Sequence, residues 1–491
     1  MISRTLNLIT VALILCLLVP TQTAFAEIPE GAPGKGSIPA ASTMIQIVQN
    51  DENEQWTPAP VSVERMKIGL CYDDSAQDTV SFENLNGRGF SLGNYNEQRL
   101  FCPETELSAS EIVIRSEGKW HVLFDEVFPT EEDALAYAER NTCTAILLDG
   151  EYRVIYGSYP IVEEVQYLIR KHGFEAVPWQ DEEIGVYDGQ GRLLLLLDGE
   201  RDIAVLPLAN GKPETTFQNR SYCGGFLLKK DPADRFAVIN VVDLEDYVKG
   251  VIPYEMNAAW PMEALKAQAV CARTYAAYNV NAYEEYGFDL RDDAESQVYR
   301  GTGAADETTD RAVDETRGMF LRYQGEICEV YYFSSDGGAS EDGANVFGRD
   351  RPYLAGKTDP FEYAMEDAVI KWSRFRGGEY IGQRLTEEGY PLGKITAIVP
   401  EYSELGNVVA MTYTDENGFS VRLENRESYS LLYLDNCRFT VEPADDGFLF
   451  TGRGWGHNCG MSQWGACAMA KYYGYSCEDI LRFYFTGAYV A

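Results

Sequence analysis

Val241-Val242-Asp243-Leu244-Glu245-Asp246-Tyr247-Val248-Lys249-Gly250-Val251-Ile252-Pro253-Tyr254-Glu255-Met256-Asn257, then Trp260-Pro261 and an alanine-rich run to Tyr278, is the stretch on which the reading of the chain turns. Pro261 stands where proline is welcome, in the first turn of a helix. The run Ala264-Leu265-Lys266-Ala267-Gln268-Ala269-Val270-Cys271-Ala272-Arg273 is strongly helix-forming. It is also small and apolar nearly all round, the mark of a helix buried on most sides. Lys266, Gln268 and Arg273 break the pattern, and buried cations are costly unless paired. Lys266 and Arg273 are two turns apart and share a face, while Gln268 points elsewhere. Glu255 is expected on the loop or short turn that feeds the helix. Glu245 and Asp246, beside Tyr247, are expected to face solvent at a strand-to-helix turn. One carboxylate near two partly dehydrated cations and an amide is the chemistry suggested.

The chain of 491 residues exceeds one ordinary core and predicts two or three domains. Its formal charge of −36 argues against nucleic acid or an anionic membrane surface as partner. Residues 1–26 read as a secretory signal: Arg4, an apolar core from Leu8 to Val19, and Ala24-Phe25-Ala26 before Glu27. The alternative is an uncleaved N-terminal anchor. Either places the bulk of the protein outside the cytoplasm, secreted or membrane-tethered. Residues 27–60 read as a Pro/Gly/Ser-rich linker. Apart from Cys16 in the signal, the cysteines are scattered singly, without zinc-site spacing. Secretion permits disulfides but assigns no pairs.

Alternation predicts strands at Arg65–Tyr72 and Thr79–Asn84, and residues 61–114 are read as N-terminal strands of the core domain. Between 115 and 180 the pattern changes to strand, helix, hairpin, helix, strand: Trp120–Phe124, a helix capped near Thr130, Thr144–Leu148 with Tyr152–Tyr156, a helix from about Val162 to Lys171, and Phe174–Val177. This is a β-α-β-β-α-β, ferredoxin-like module. Strands then resume through Val242, and later at Glu329–Phe333, Lys394–Val399, Val408–Tyr413 and Phe448–Phe450. Ser476 with Asp479 forms a capping-box pattern for a last helix, after Gly474 ends the one before. The fold class is α+β, with twisted antiparallel strands, packed helices and the inserted module.

Gly452-Arg453-Gly454-Trp455-Gly456-His457-Asn458-Cys459-Gly460-Met461-Ser462-Gln463-Trp464-Gly465 is the second unusual segment. Its glycines allow close backbone approach or positive φ. It is not a phosphate loop, since no Lys-Ser/Thr pair follows the glycines. His457, set among glycines and tryptophans, is a candidate site residue. A Ser-His-Asp set from Ser335, His457 and Asp336 is unattractive, because adjacent Ser and Asp cannot easily flank one histidine.

Taken together, Tyr247-x-x-Gly250-Val251-x-Pro253-x-Glu255-Met256 and Trp260-Pro261-x-Glu263 through Tyr275 resemble the stage II sporulation protein D / amidase-enhancer (LytB) family. Gln297-Val298-Tyr299, Ser334–Gly338 and Gly452–Gly465 match its other blocks in order. The resemblance covers about 215–491, and residues 181–491 are read as the catalytic domain. It implies a lytic transglycosylase that cleaves peptidoglycan between N-acetylmuramic acid and N-acetylglucosamine, leaving 1,6-anhydro ends on peptide-stripped strands, in sporulation or wall remodelling. It implies Glu255 as the catalytic acid, with Lys266, Gln268, Arg273, Gln297, Tyr299, Ser335 and His457 lining the cleft. The run Tyr152–Tyr159 resembles the SPOR domain, whose family binds peptide-free glycan; a structural insertion without ligand is the alternative. Some family members carry a Cys/His metal cluster before the Gln-x-Tyr block. Here Phe288–Ser296 has neither residue, so no metal or other cofactor is expected, and its acids read as a solvated loop.

The chemistry fits one acid. Hydrolysis of a glycoside ordinarily needs two carboxyl groups. Lytic cleavage needs no water: a protonated Glu255 would protonate the leaving oxygen, then accept the proton of the C6 hydroxyl as that oxygen attacks C1. A cation touching Glu255 would hold it ionised, so Lys266 and Arg273 are expected to contact substrate or other acids. The rival class is a non-catalytic wall-binding enhancer of an N-acetylmuramoyl-L-alanine amidase. A two-carboxylate hydrolase, giving reducing ends, is the third reading.

Overall fold

Alternating apolar residues make most of the first half β-structure, because period-two burial suits a sheet with one face in a core. The computed structural model describes residues 61–491 except 62, 86–87, 117–119, 149, 160, 181–183, 198, 200 and 366–369. The signal at 1–26 and the linker at 27–60 lie outside the described residues. The architecture is mixed α+β, with antiparallel sheets and several helices.

Two units divide the described chain. The first holds Pro60–Trp260 and Gln268–Gly318; the second holds Pro261–Ala267 and Met319–Ala491. In the first, a seven-stranded sheet runs in the order Leu290–Arg291, Arg65–Cys71, Phe236–Asp243, Gly225–Lys230, Ile203–Pro207, Phe90–Tyr95, Phe101–Leu107. A six-stranded sheet runs Leu193–Leu197, Ile184–Asp188, Glu111–Ser116, Thr79–Glu83, Glu214–Phe217, Arg220–Cys223. Phe82 of one sheet meets Phe226 of the other at 4.5 Å between ring centroids, and both are fully buried. Such aromatic contacts join the sheets into one core.

Within this unit, residues 120–180 form Trp120–Phe124, a helix Glu131–Asn141, strands Thr144–Leu148 and Glu151–Tyr159, a helix Val162–His172 and a strand Ala176–Gln180. Their four strands lie in the order Thr144–Leu148, Glu151–Tyr159, Trp120–Phe124, Ala176–Gln180, all antiparallel. Thr130 caps the first helix by accepting from the Asp133 amide, and left-handed Gly173 ends the second. Val154 packs with Ala134 of the first helix, while Ile155 packs with Leu196 on the other side of the sheet.

The helix Leu244–Glu255 includes Glu255, which the sequence reading has on a loop or short turn. Asp243 ends a strand and caps the helix, its side chain accepting from the Glu245 amide. Leu244, Tyr247, Val248, Val251 and Ile252 then form one buried stripe. Pro253 falls in the last turn, and Gly250 is required by packing. A Cβ on Gly250 would stand 2.4 Å from the Tyr299 ring. The following helix is Met262–Tyr278, with Pro261 just before it. Ala264, Leu265, Ala267, Gln268, Ala269, Val270, Cys271, Ala272 and Arg273 are all buried, as its small-residue composition requires.

The second unit is built on shorter sheets. Lys371–Gly377, Gly447–Arg453 and Phe439–Ala444 form one, with Gly447–Arg453 in the middle. Ile395–Tyr402, Val408–Asp415 and Ser420–Glu424 form another. A core of Trp372, Ile381, Leu385, Met411, Tyr413, Phe439 and Phe450 fills the space among them and the helix Gly378–Glu387. The last helix, Cys477–Tyr484, begins at Ser476 with a capping box to Asp479.

No helix among the described residues is long and apolar enough to cross a bilayer. The ten described cysteines are free thiols. Burial pushes those of Cys71, Cys223 and Cys467 up to about 11, the inert direction for a thiol.

Candidate functional site

The first unit carries Glu255, Gln268, Arg273, Gln297 and Tyr299; the second carries Lys266, Ser335 and His457. Glu255 is the last residue of its helix and is half-buried. It therefore sits at the carbonyl end, not at a helix entry, where the dipole disfavours an anion. It lies near enough to Tyr247 for its charge to act on that phenol, whose proton burial holds far above the ordinary range.

Behind Glu255 the helix is pinned by buried polar contacts. The Tyr247 hydroxyl donates to Gln297 Oε1 at 3.1 Å, and the two rings of Tyr247 and Tyr299 are 5.0 Å apart. The Tyr299 hydroxyl donates to Asn240 Oδ1 at 2.8 Å, and Asn240 Nδ2 donates to the carbonyls of Cys223 and Gly225. Gln297 and Tyr299 are each about 1% exposed, and Gln268 is fully buried. Gln297 and Tyr299 support the helix from inside the core, and Gln268 is buried within Met262–Tyr278; the sequence reading has all three lining a cleft.

Arg273 is corrected in the same way. Its side chain is fully buried, with Nε 2.9 Å from Glu245 Oε1 and Nη2 2.6 Å from Glu245 Oε2. Nη2 also reaches the Val313 carbonyl at 3.2 Å, and Glu245 Oε1 accepts from the Gly318 amide at 3.1 Å. Glu245 was expected in solvent, yet it is 6% exposed, because this bidentate pair draws it inward. Lys266 pairs with Glu263 at 3.0 Å, and the other oxygen of Glu263 accepts from the Cys477 amide at 2.8 Å.

The acidic segment 288–296 is solvated only in part: Phe288, Asp289 and Leu290 are buried, while Ala294 and Glu295 are exposed. Asp289 is fully buried and grips Arg99 through both oxygens, at 2.5 and 2.8 Å. Arg291 pairs with Asp293 and Glu295. Asp292 lies 3.0 Å from Arg300, yet burial pushes its carboxyl up to about 6, with Arg300 opposing and Asp293 adding to the rise. Spacing alone could not reveal Asp292, because its partners Arg220 and Arg300 come from separate strands and loops.

In the second unit the turn Ser334–Gly338 and the glycine-rich segment meet. Ser335 and Trp455 exchange backbone hydrogen bonds at 3.1 and 2.7 Å. Strand Tyr332–Phe333 runs parallel to Met461–Ser462. The glycines serve this close approach: a Cβ on Gly460 would stand 2.1 Å from the Tyr331 carbonyl. His457 packs against Tyr331, Phe333 and Phe347. Its Nε2 lies 2.9 Å from the Tyr332 carbonyl and its Nδ1 accepts from the Cys459 amide at 3.2 Å, which assigns the proton to Nε2. Burial first, then Arg426, lowers it to about 3. His457 is thus a partly exposed, neutral side chain with both nitrogens engaged inside the chain.

Ser335 is fully buried and its hydroxyl donates to Glu362. Glu362, Asp336 and Asp359 bring carboxylate oxygens within 4.8 Å of one another. An all-oxygen set of this kind suits a hard cation or shared protons. Burial and the charges of Asp359 and Glu362 hold Asp336 well above the carboxylate range, the direction of proton sharing.

A family model described as stage II sporulation protein matches residues 233–323, which span the Glu255 helix, the alanine-rich helix and the Gln297–Tyr299 block. An uncharacterised protein of Brachyspira hyodysenteriae is 34% identical over 259 residues, 52% of this chain and 68% of that protein. Stage II sporulation protein D of Bacillus subtilis is 32% identical over 270 residues, 51% of this chain and 75% of that protein. The amidase enhancer of Bacillus subtilis is 28% identical over 311 residues, 49% of this chain but 39% of that protein. With the family's sequence blocks in order, the chain belongs to the stage II sporulation protein D / amidase-enhancer family.

Proposed function

We propose that this chain is a peptidoglycan lytic transglycosylase in which Glu255 is both acid and base. The carrying observation is the seat of Glu255: half-buried, at the carbonyl end of a helix whose inner side is locked by Tyr247–Gln297 and Glu245–Arg273. A carboxyl group on so fixed an element keeps its geometry through a reaction. Glu245 and Asp289, two other acids of the same unit, are held by Arg273 and Arg99.

The protonated carboxyl gives its hydrogen to the glycosidic oxygen as the bond to C1 breaks. The resulting carboxylate takes the hydrogen of the C6 hydroxyl of N-acetylmuramic acid as that oxygen closes on C1. The net reaction consumes no water and leaves Glu255 protonated, with a 1,6-anhydro end. We further assign residues 115–180 as a ferredoxin-like, SPOR-like glycan-holding module inserted in a core made of 61–114 and 181–491. The protein would act outside the cytoplasm, secreted or tethered.

A second reading rests on the similarity to the amidase enhancer: the chain would bind wall glycan and stimulate a separate amidase without cutting the strand itself. The two part cleanly when the purified protein is incubated alone with peptide-free glycan, and together with an amidase on peptide-bearing wall. Anhydro sugar formed by the protein alone supports the transglycosylase. No anhydro product, with faster peptide release in the mixture, supports the enhancer.

A further inference from the structure

A groove of about 700 Å³ lies in the second unit, over the sheet of Lys371–Gly377, Gly447–Arg453 and Phe439–Ala444. Register places its charges. Lys371 is directly opposite Arg453, and Arg453 in turn donates its amide to the Arg438 carbonyl, so the three cations form one row across three strands. Neighbouring strands are about 4.8 Å apart, so the row spans roughly 10 Å of backbone, comparable to a disaccharide. The next row on this face is Ser373, Thr451 and Thr440, three exposed hydroxyls. Tyr402, 45% exposed, and Gly406 contribute to one wall.

Like charges directly opposite one another cost a sheet stability. Here the row stands in a chain with 77 acids and 41 Lys or Arg residues, yet among the described residues no acid lines the groove. Among the described residues no carboxylate pairs with Lys371, Arg438 or Arg453. Arg438 is instead fixed by the Leu405 carbonyl at 2.8 Å and Asn407 Oδ1 at 3.0 Å. A held arginine, two exposed cations, hydroxyls and an open tyrosine ring together suit an anionic sugar: cations for the carboxylate, hydroxyls for the ring substituents, tyrosine for a sugar face.

We propose that this groove binds a carboxylate-bearing glycan, reading the lactyl carboxylates that become free on muramic acid when stem peptides are removed. The proposal rests on the wall-glycan reading above, but not on Glu255 being the acid. Removal of a peptide turns each neutral amide linkage into an anion, and the cation row converts that change into affinity.

The test uses the full chain in a Glu255→Gln background, so that no strand is cut, and the double variant Lys371→Gln/Arg453→Gln in the same background. Co-sedimentation is measured on peptide-free strands and on the same strands with carboxylates converted to methyl amides. The expected result is binding at least about tenfold weaker for the double variant, an equal loss for the parent on neutralised strands, and indifference of the double variant to neutralisation. Thermal unfolding of the variant should be unchanged or higher, since a like-charge pair is removed. Equal binding by parent and variant would overturn the site. Equal binding of charged and neutralised strands, or stronger binding of a phosphate-bearing wall polymer, would overturn the carboxylate assignment. Failure of Glu255 in catalysis would leave all these binding outcomes unchanged.

Discussion

Arg273→Ala removes the cation from a pair in which the arginine is fully buried and the glutamate nearly so. Glu245 would keep one donor, the Gly318 amide at 3.1 Å, and lose both bonds from the guanidinium at 2.9 and 2.6 Å. Breaking a buried pair by deleting one partner costs about 3–5 kcal/mol, because the remaining charge is left uncompensated. For a folding unit of this size each kcal/mol lowers Tm by about 2–4 °C, so a fall of roughly 6–20 °C is expected. Calorimetry reads it, with the transition assigned by limited proteolysis to the first unit. The double variant Arg273→Met/Glu245→Leu should recover most of the loss, since apolar residues of similar volume replace buried pairs well. Glycan affinity of the folded fraction should be unchanged in both. A loss under about 1 kcal/mol combined with a marked loss of glycan binding would refute the reasoning and return Arg273 to substrate contact.

Three further outcomes follow from the geometry. Asp292 should titrate in the folded protein near pH 6, and Arg300→Met should move the midpoint upward, because Arg300 opposes the rise; carboxyl-carbon NMR reads both. Its folded pKa lies above the ordinary value, so its contribution favours the fold at low pH and is lost as pH rises from about 4 through 6. His457 should show no ring titration between pH 5 and 8, since it is lowered to about 3; its share of stability is present above pH 6.5 and is lost as pH falls toward 3. Gly250→Ala should cost about 1–3 kcal/mol, because the added methyl would stand 2.4 Å from the Tyr299 ring; denaturant unfolding measures it.

Local rules carried the reading wherever neighbours in sequence decide the structure. Pro261 and the alanine run announced the helix Met262–Tyr278, and Ser476 with Asp479 announced the last helix. They failed where tertiary contact overrides them. Gly250 is required within the helix Leu244–Glu255 by the Tyr299 ring, which comes from 49 positions away. Glu245 looked solvent-facing because its partner Arg273 lies 28 positions on. Glycines around His457 were legible as a close approach; what they approach is the Tyr331–Ser335 backbone, which spacing cannot reveal. The row Lys371–Arg453–Arg438 depends on strand register and was invisible in the sequence, where the three residues lie far apart.

The most direct test of the central claim is mass spectrometry of the ends released from peptide-free glycan by the wild-type protein and by Glu255→Gln. The wild type should release 1,6-anhydro ends, and the variant should do so at a rate lower by about a hundredfold to ten-thousandfold, the contribution expected of one positioned acid. Undiminished anhydro product from Glu255→Gln, or reducing ends from the wild type, would contradict it.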